Sequence, residues 1–165
     1  MTELEAKRQH VVVYVLVPLL VMCLAGGAGY LKYRGGSIVE AQSAATSSIQ
    51  AATDGTIALL SYSPDTAQAT LTAARDRLTG SFRDSYTSLT NDVVIPGAKE
   101  KKISATATVP AAASVSASEN HAVVLVYVDQ SVIVGDGAPS ATASAVQVTL
   151  DKVGSQWLIS GFDPK

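Results

Sequence analysis

The sequence predicts an α+β fold behind one N-terminal membrane helix. Three observations carry this expectation: an uncharged apolar run near the N-terminus, a middle region with apolar residues at helical spacing, and a C-terminal region in which they alternate. With 165 residues, the chain has room for one soluble domain beside an anchor. Alanine, serine, threonine and valine dominate and aromatics are scarce, so the core must be built from small and β-branched side chains, which favours a sheet-rich fold.

The anchor comes first. Val11 to Leu31 is a run of 21 residues without a charge, long enough at about 1.5 Å per residue to span roughly 30 Å of hydrocarbon. Pro18 lies mid-span, which a membrane helix tolerates, and Tyr14, Tyr30 and Tyr33 lie near the ends, where amphipathic rings prefer the interface. The competing reading is a signal peptide cleaved near Ala25-Gly26-Gly27-Ala28, but the apolar stretch continues through Leu31. The only cysteine, Cys23, lies within the run after the bulky Met22, which argues against a lipoprotein and excludes an intrachain disulfide. Ala25, Gly26 and Gly29 form a small-residue patch on which a second helix can pack; composition bias is the plainer explanation. Lys7 and Arg8 balance Lys32 and Arg34, so charge does not set the orientation. A ten-residue tail is too short to be a working domain, which favours a cytoplasmic tail over residues 1–10 and a C-terminal part outside the cytoplasm.

Residues 32–62 read as a juxtamembrane helix, with Ile38, Ala41, Ala45, Ile49, Ala52 and Leu59 on one stripe. The extracytoplasmic domain, residues 63–165, opens at Ser63-Pro64-Asp65, a helix start. A stripe follows at Ala67, Leu71, Ala74, Leu78, Phe82, Tyr86, Leu89 and Val93, broken into two helices at Gly80; Pro96-Gly97 is expected to end the helical region.

From Ile103 to Ala117 small apolar residues alternate with serine and threonine, and Pro110 marks an edge strand or a bulge. Ala122 to Val128 is apolar throughout, which predicts a central strand covered on both faces. A third strand runs from about Ala141 to Val153, with a bulge expected where the apolar phase shifts between Ala145 and Val146; a fourth runs from Gln156 to Phe162. Strands near 50 Å long fit a small domain if the sheet curls. The expected architecture is therefore helices packed on a strongly curved antiparallel sheet of about four strands, a nuclear-transport-factor-like cone.

Catalytic chemistry finds little support. The region after the anchor holds one histidine, His121, at a strand end, and no cysteine, so neither an acid–base pair nor an activated nucleophile is evident. No residue spacing resembles a metal site and no glycine-rich loop a phosphate cradle, so the expectation is no enzyme, no cofactor and no metal. Residues 1–34 carry +2 and the remainder −4, giving the net −2; such a domain lacks the basic face that nucleic acid requires. The mixed runs Arg75-Asp76-Arg77 and Lys99 to Lys102 read as solvated surface. Asp129-Gln130 interrupts an apolar strand, either as a pocket lining or partner contact or as a strand emerging into solvent. Phe82, Tyr86, Tyr127 and Trp157 are core residues on the simplest reading and candidate pocket or interface residues on the sharper one.

Three stretches in order, Val94-Ile95-Pro96-Gly97-Ala98-Lys99-Glu100-Lys101-Lys102-Ile103, Val123 to Gln130, and Gly154 to Pro164 with its Trp157-Leu158-Ile159, lie behind the anchor. In these the chain resembles the Mce-associated membrane proteins of mycobacteria and related actinobacteria. The resemblance implies a single-pass inner-membrane protein, similar in its outer domain to the assembly factor of type IV secretion systems. It also implies an accessory or scaffold subunit of a lipid-import system, with transporter permease, ATPase or Mce proteins as partners and no catalytic residues. The alternative is a domain that binds a lipid or small molecule in the cone interior. Homo-oligomerisation is compatible with either.

Overall fold

The computed structural model describes residues 41–165. The expected membrane span over residues 11–31 and the patch Ala25, Gly26 and Gly29 lie outside the described residues. Among the described residues, no helix is long and apolar enough to cross a membrane.

Residues 41–60 are helical (α1). Ala44, Ser48, Ala52, Thr56 and Leu59 recur at three- and four-residue spacing and are all buried, so a stripe of small side chains brings the helix close to the sheet. Gly55 makes the closest approach: a Cβ there would meet the Ile159 side chain of the last strand at 2.5 Å. Helix α2 spans Ala67–Ala74 and runs into a 3₁₀ turn, Arg75–Arg77. The chain is extended at Leu78, and α3 begins at Gly80, whose positive φ of 60° is one that only glycine adopts freely. The break expected at Gly80 is thus where the structure has it. Helix α3, Gly80–Leu89, continues through a π-helical turn, Thr90–Val94, into α4, Ile95–Glu100.

Two expectations for this region need correction. Pro96 does not end the helices; it is the second residue of α4 and follows directly on the π-helical turn, which already interrupts the regular ladder of helical hydrogen bonds that a proline would break. Leu89 and Val93, expected on the buried stripe, are 55% and 60% exposed. From Tyr86 the ordinary four-residue step puts Thr90, not Leu89, on the buried face, and the extra residue of the π-helical turn then moves burial from Val93 to Ile95.

The sheet is antiparallel in the order β1-β2-β3-β4, with β1 Ile103–Ala117, β2 His121–Val134, β3 Ser140–Val153 and β4 Gln156–Pro164. Pro110 lies on edge strand β1 at a register shift between Thr108 and Ala111, as its missing donor requires. Tyr62 covers part of that edge by exchanging backbone hydrogen bonds of 2.9 Å with Ala105. At the other edge the Thr79 N–H donates to the Ile159 carbonyl at 2.9 Å.

Among the described residues, helices cover one face of the sheet. Val124, Val126 and Val128 of β2 and Val146, Val148 and Leu150 of β3 point into the core with Leu59, Leu78 and Ile159. Leu125, partly buried, and Tyr127, 50% exposed, alternate onto the opposite face. The second cover expected for β2 is therefore not found among the described residues, although the strand is an inner one as expected. The bulge expected between Ala145 and Val146 is also not there: β2 pairs with β3 without interruption, and the irregularity lies between β3 and β4 at Thr149 and Leu150. The phase shift in sequence marks instead where cover begins. Residues Ser140 to Ser144 are all exposed, and inward burial starts at Val146.

The same observation corrects the expected strong curl. The helices cover a diagonal of the sheet, so β3 overruns them at Ser140 to Ser144 and β1 at the mostly exposed Pro110 to Ala117. Long strands are accommodated by overhang and by register shifts, without closing into a tight cone.

Candidate functional site

The helix-bearing face holds an apolar cavity of about 350 Å³. Leu59 and Leu60 at the end of α1, Leu71 of α2 and Phe82, Tyr86 and Leu89 of α3 form most of its wall. Phe162 closes it from β4, stacked on Phe82 with ring centroids 6.3 Å apart and planes 11° from parallel. Thr90 and Val94 of the π-helical turn also line it, and the Thr90 hydroxyl donates back to the Tyr86 carbonyl at 2.8 Å.

The polar groups of the cavity are few and uncharged. The Tyr86 hydroxyl donates to the Leu59 carbonyl and the Gln130 amide to the Leu60 carbonyl, both at a long 3.4 Å. Burial, and secondarily the neighbouring Tyr62, push the Tyr86 phenol far above its ordinary range; burial alone raises Tyr62. Both phenols are neutral at any physiological pH.

Of the residues singled out in sequence, Phe82, Tyr86 and Gln130 meet in this cavity. Asp129 does not, because strand alternation turns it to the opposite face, beside Thr106, Thr108 and Ser131. Tyr127 lies on that face too, paired with Ala111 and Ala145, whose small side chains leave its ring standing clear. Trp157 lies elsewhere, against α1. Its indole N–H donates to Ser47 Oγ at 3.0 Å, and Lys152 Nζ lies 5.8 Å from its ring. Leu60, Leu71, Thr90 and Phe162 were not flagged as site residues, since apolar helix and strand positions look alike whether they fill a core or line a void.

His121 sits at the start of β2 with Asp151 opposite on β3, and its Nδ1 lies 2.7 Å from Asp151 Oδ1. Ser118 is near, but its hydroxyl donates to the His121 backbone carbonyl at 2.9 Å and accepts the His121 N–H at 3.3 Å. The hydroxyl proton is thus directed to backbone and not to imidazole, so the three residues make a turn brace without the geometry of a nucleophile and its base. Among the described residues no three His, Cys, Asp or Glu side chains are grouped to hold a metal ion.

The Asp151 carboxyl is held below its usual range by the hydrogen bond from His121, then by that from Ser160, with the histidine charge a smaller contribution and burial opposing. A depressed folded-state value means that this bond stabilises the fold above pH ~4 and is lost as pH falls through the folded value. Because both side chains are about half exposed, the contribution is at most about 1 kcal/mol. Asp151→Asn is expected to flatten the acid limb of the stability–pH curve by that amount and leave the plateau near neutrality lower, as read by urea unfolding from pH 3 to 7.

Comparison with known proteins agrees with this architecture. The chain is 56% identical over 155 residues to the outer membrane protein Rv1973 of Mycobacterium tuberculosis H37Rv, which covers 94% of this chain and 97% of that protein. Among solved structures, a periplasmic fragment of TraM superposes with a TM-score of 0.61 at 12% identity over 73% of this chain and 96% of its own. An IcmL-like type IV secretion system protein from Legionella pneumophila superposes with a TM-score of 0.56 at 8% identity, covering 71% and 88% of the two chains. At such identities these structures show the shared fold alone. The family described as "Uncharacterized protein Rv1363c/MT1408-like" matches residues 9–163, nearly the whole sequence. On that match and on the extent of identity to the mycobacterial relative, the chain belongs to the Rv1363c/MT1408-like family.

Proposed function

We propose that the protein is a non-catalytic accessory or scaffold subunit of a membrane complex, and specifically of a lipid-import transporter of the Mce type. One observation carries the reading: the outer face of the sheet has no cover among the described residues, and its centre is apolar. Val123, Leu125 and Tyr127 run along it, flanked by the small residues Ala111, Ala113 and Ala145. An uncovered sheet face with a half-exposed tyrosine near its centre suits docking of a second protein surface. The uncharged run Val11 to Leu31 would hold this face beside its partners at the membrane. The relative named as an outer membrane protein supports membrane association, and the periplasmic and secretion-system structures of the same fold support a non-catalytic role in an assembly. In this reading the N-terminus is cytoplasmic and the domain lies outside the inner membrane.

The test is affinity purification of tagged full-length protein from native membranes in mild detergent, beside a Tyr127→Lys variant. Permease, ATPase or Mce subunits are expected to accompany the wild type in stable ratio and to fall at least tenfold with the variant. Recovery of the wild-type protein alone would sink the scaffold reading. Equal recovery of partners with the variant would move the interface off the sheet.

A further inference from the structure

We propose that the cavity between α3 and the sheet is a binding site for a neutral single-chain amphiphile, its chain among Leu59, Leu71, Phe82 and Phe162 and its oxygen head at Gln130 and Tyr86. The cavity opens on the helix-bearing side of the sheet, away from the outer face, so this site stands independently of the docking role.

Size and shape set the first limit. A methylene occupies about the volume of a water molecule in the liquid, ~30 Å³. A cavity of about 350 Å³ therefore takes a chain on the order of ten carbons. Walls of leucine and stacked phenylalanine rings offer dispersion contacts to such a chain and nothing to a polar solute. The mouth lies at Leu89, which lines the cavity and is yet 55% exposed, so an apolar chain has an apolar threshold to cross.

The head is identified by what surrounds it. Among the described residues that line the cavity, none carries a charge. An ionised carboxylate or ammonium would give up its water with no counter-ion in return. An ester oxygen needs only a donor and a hydroxyl a donor and an acceptor; two donors are in place, and the Leu59 or Leu60 carbonyl that either one releases can accept the hydroxyl proton. The Tyr86 O–H and the Gln130 N–H now make bonds of 3.4 Å, long enough to be exchanged for a better-placed acceptor without much loss. A phenol is neutral at pH 8, and burial raises this one further, so it keeps its proton to donate.

The experiment uses full-length protein in phosphatidylcholine nanodiscs at pH 8, with decan-1-ol carrying a diazirine in mid-chain as probe. Decanoic acid and a phosphatidylcholine with the same diazirine chain serve as comparisons. After irradiation, mass spectrometry is expected to find the alcohol on peptides containing Phe82 to Val94 and Leu59 to Leu71. Labelling should be suppressed by excess unlabelled decanol and be at least tenfold weaker with the acid. Ser85 of α3 also lines the cavity, so Ser85→Trp and Leu89→Trp, which fill it from its wall and its mouth, are each expected to cut labelling about tenfold while retaining the wild-type circular dichroism. Label at the same residues from the phosphatidylcholine would overturn the single-chain neutral ligand in favour of a bilayer tail, and label from the alcohol but not from the phosphatidylcholine is the expected result. Equal labelling by acid and alcohol would overturn the neutral head. Label confined to other surfaces, or undiminished by competition and by whichever variant folds, would overturn the site.

Discussion

Leu78→Ala is expected to destabilise the domain by about 3 kcal/mol, within the range for a leucine removed from a core that cannot close over the gap. Leu78 is fully buried although it belongs to neither flanking helix. It occupies the extended break between the 3₁₀ turn and α3, and its backbone is held on both sides. The Leu78 N–H donates to the Arg75 carbonyl at 3.1 Å, and the next residue, Thr79, donates to Ile159 at 2.9 Å. A segment pinned in this way cannot move inward to fill the space that the isobutyl group leaves among Leu59, Val148 and Ile159. Urea unfolding followed by circular dichroism would show the loss, with Val115→Ala, at a 64% exposed position, expected to stay within about 0.5 kcal/mol of wild type. A Leu78→Ala cost below about 1 kcal/mol would mean that the break is not the anchor described.

The largest contrast is expected between two adjacent positions. Val126→Asp should cost about 4 kcal/mol or more at neutral pH, because it places a carboxylate between Ala112 and Val146 on the helix-covered face with no partner. The deficit should shrink in acid: burial raises the folded-state value of such a group, so the protonated carboxyl that forms as pH falls is the less costly one to bury. Leu125→Asp, one residue away, should cost only about 1 kcal/mol, since its side chain faces outward between Ala113 and Gln147. That variant should fold and yet lose the partners that the wild type retains, which separates a docking face from a core face by a single step along one strand. Comparable destabilisation by the two substitutions would show that the outer face is covered as well.

Much of the fold was legible in local pattern. The alternation from Ile103 to Ala117 matches β1 to the residue, and the break at Gly80 followed from the residue that tolerates a positive φ. Phe82 and Tyr86 stand out in sequence as large rings in an alanine-rich chain, and Gln130 because it interrupts an apolar strand. Their neighbours Leu60, Leu71 and Phe162 carried no such signal: a side chain that lines a void has the same apolar character as one that fills a core. Asp129 and Gln130 read as a pair in sequence and part in the structure, since adjacent strand residues point to opposite faces.

The sequence by itself determined the order of helices and strands, the small-residue core, and that β1 has an edge or a bulge at Pro110. Those follow from periodicity and from proline's missing donor, properties of neighbouring residues alone. Only the tertiary structure decided which face of the sheet the helices cover, that the apolar phase shift in β3 marks the limit of that cover, and that a cavity remains between α3 and β4. Each of these depends on contacts between residues far apart in the chain, where the length of one element is measured against another. An apolar pattern states that a surface must be buried, and leaves open what buries it.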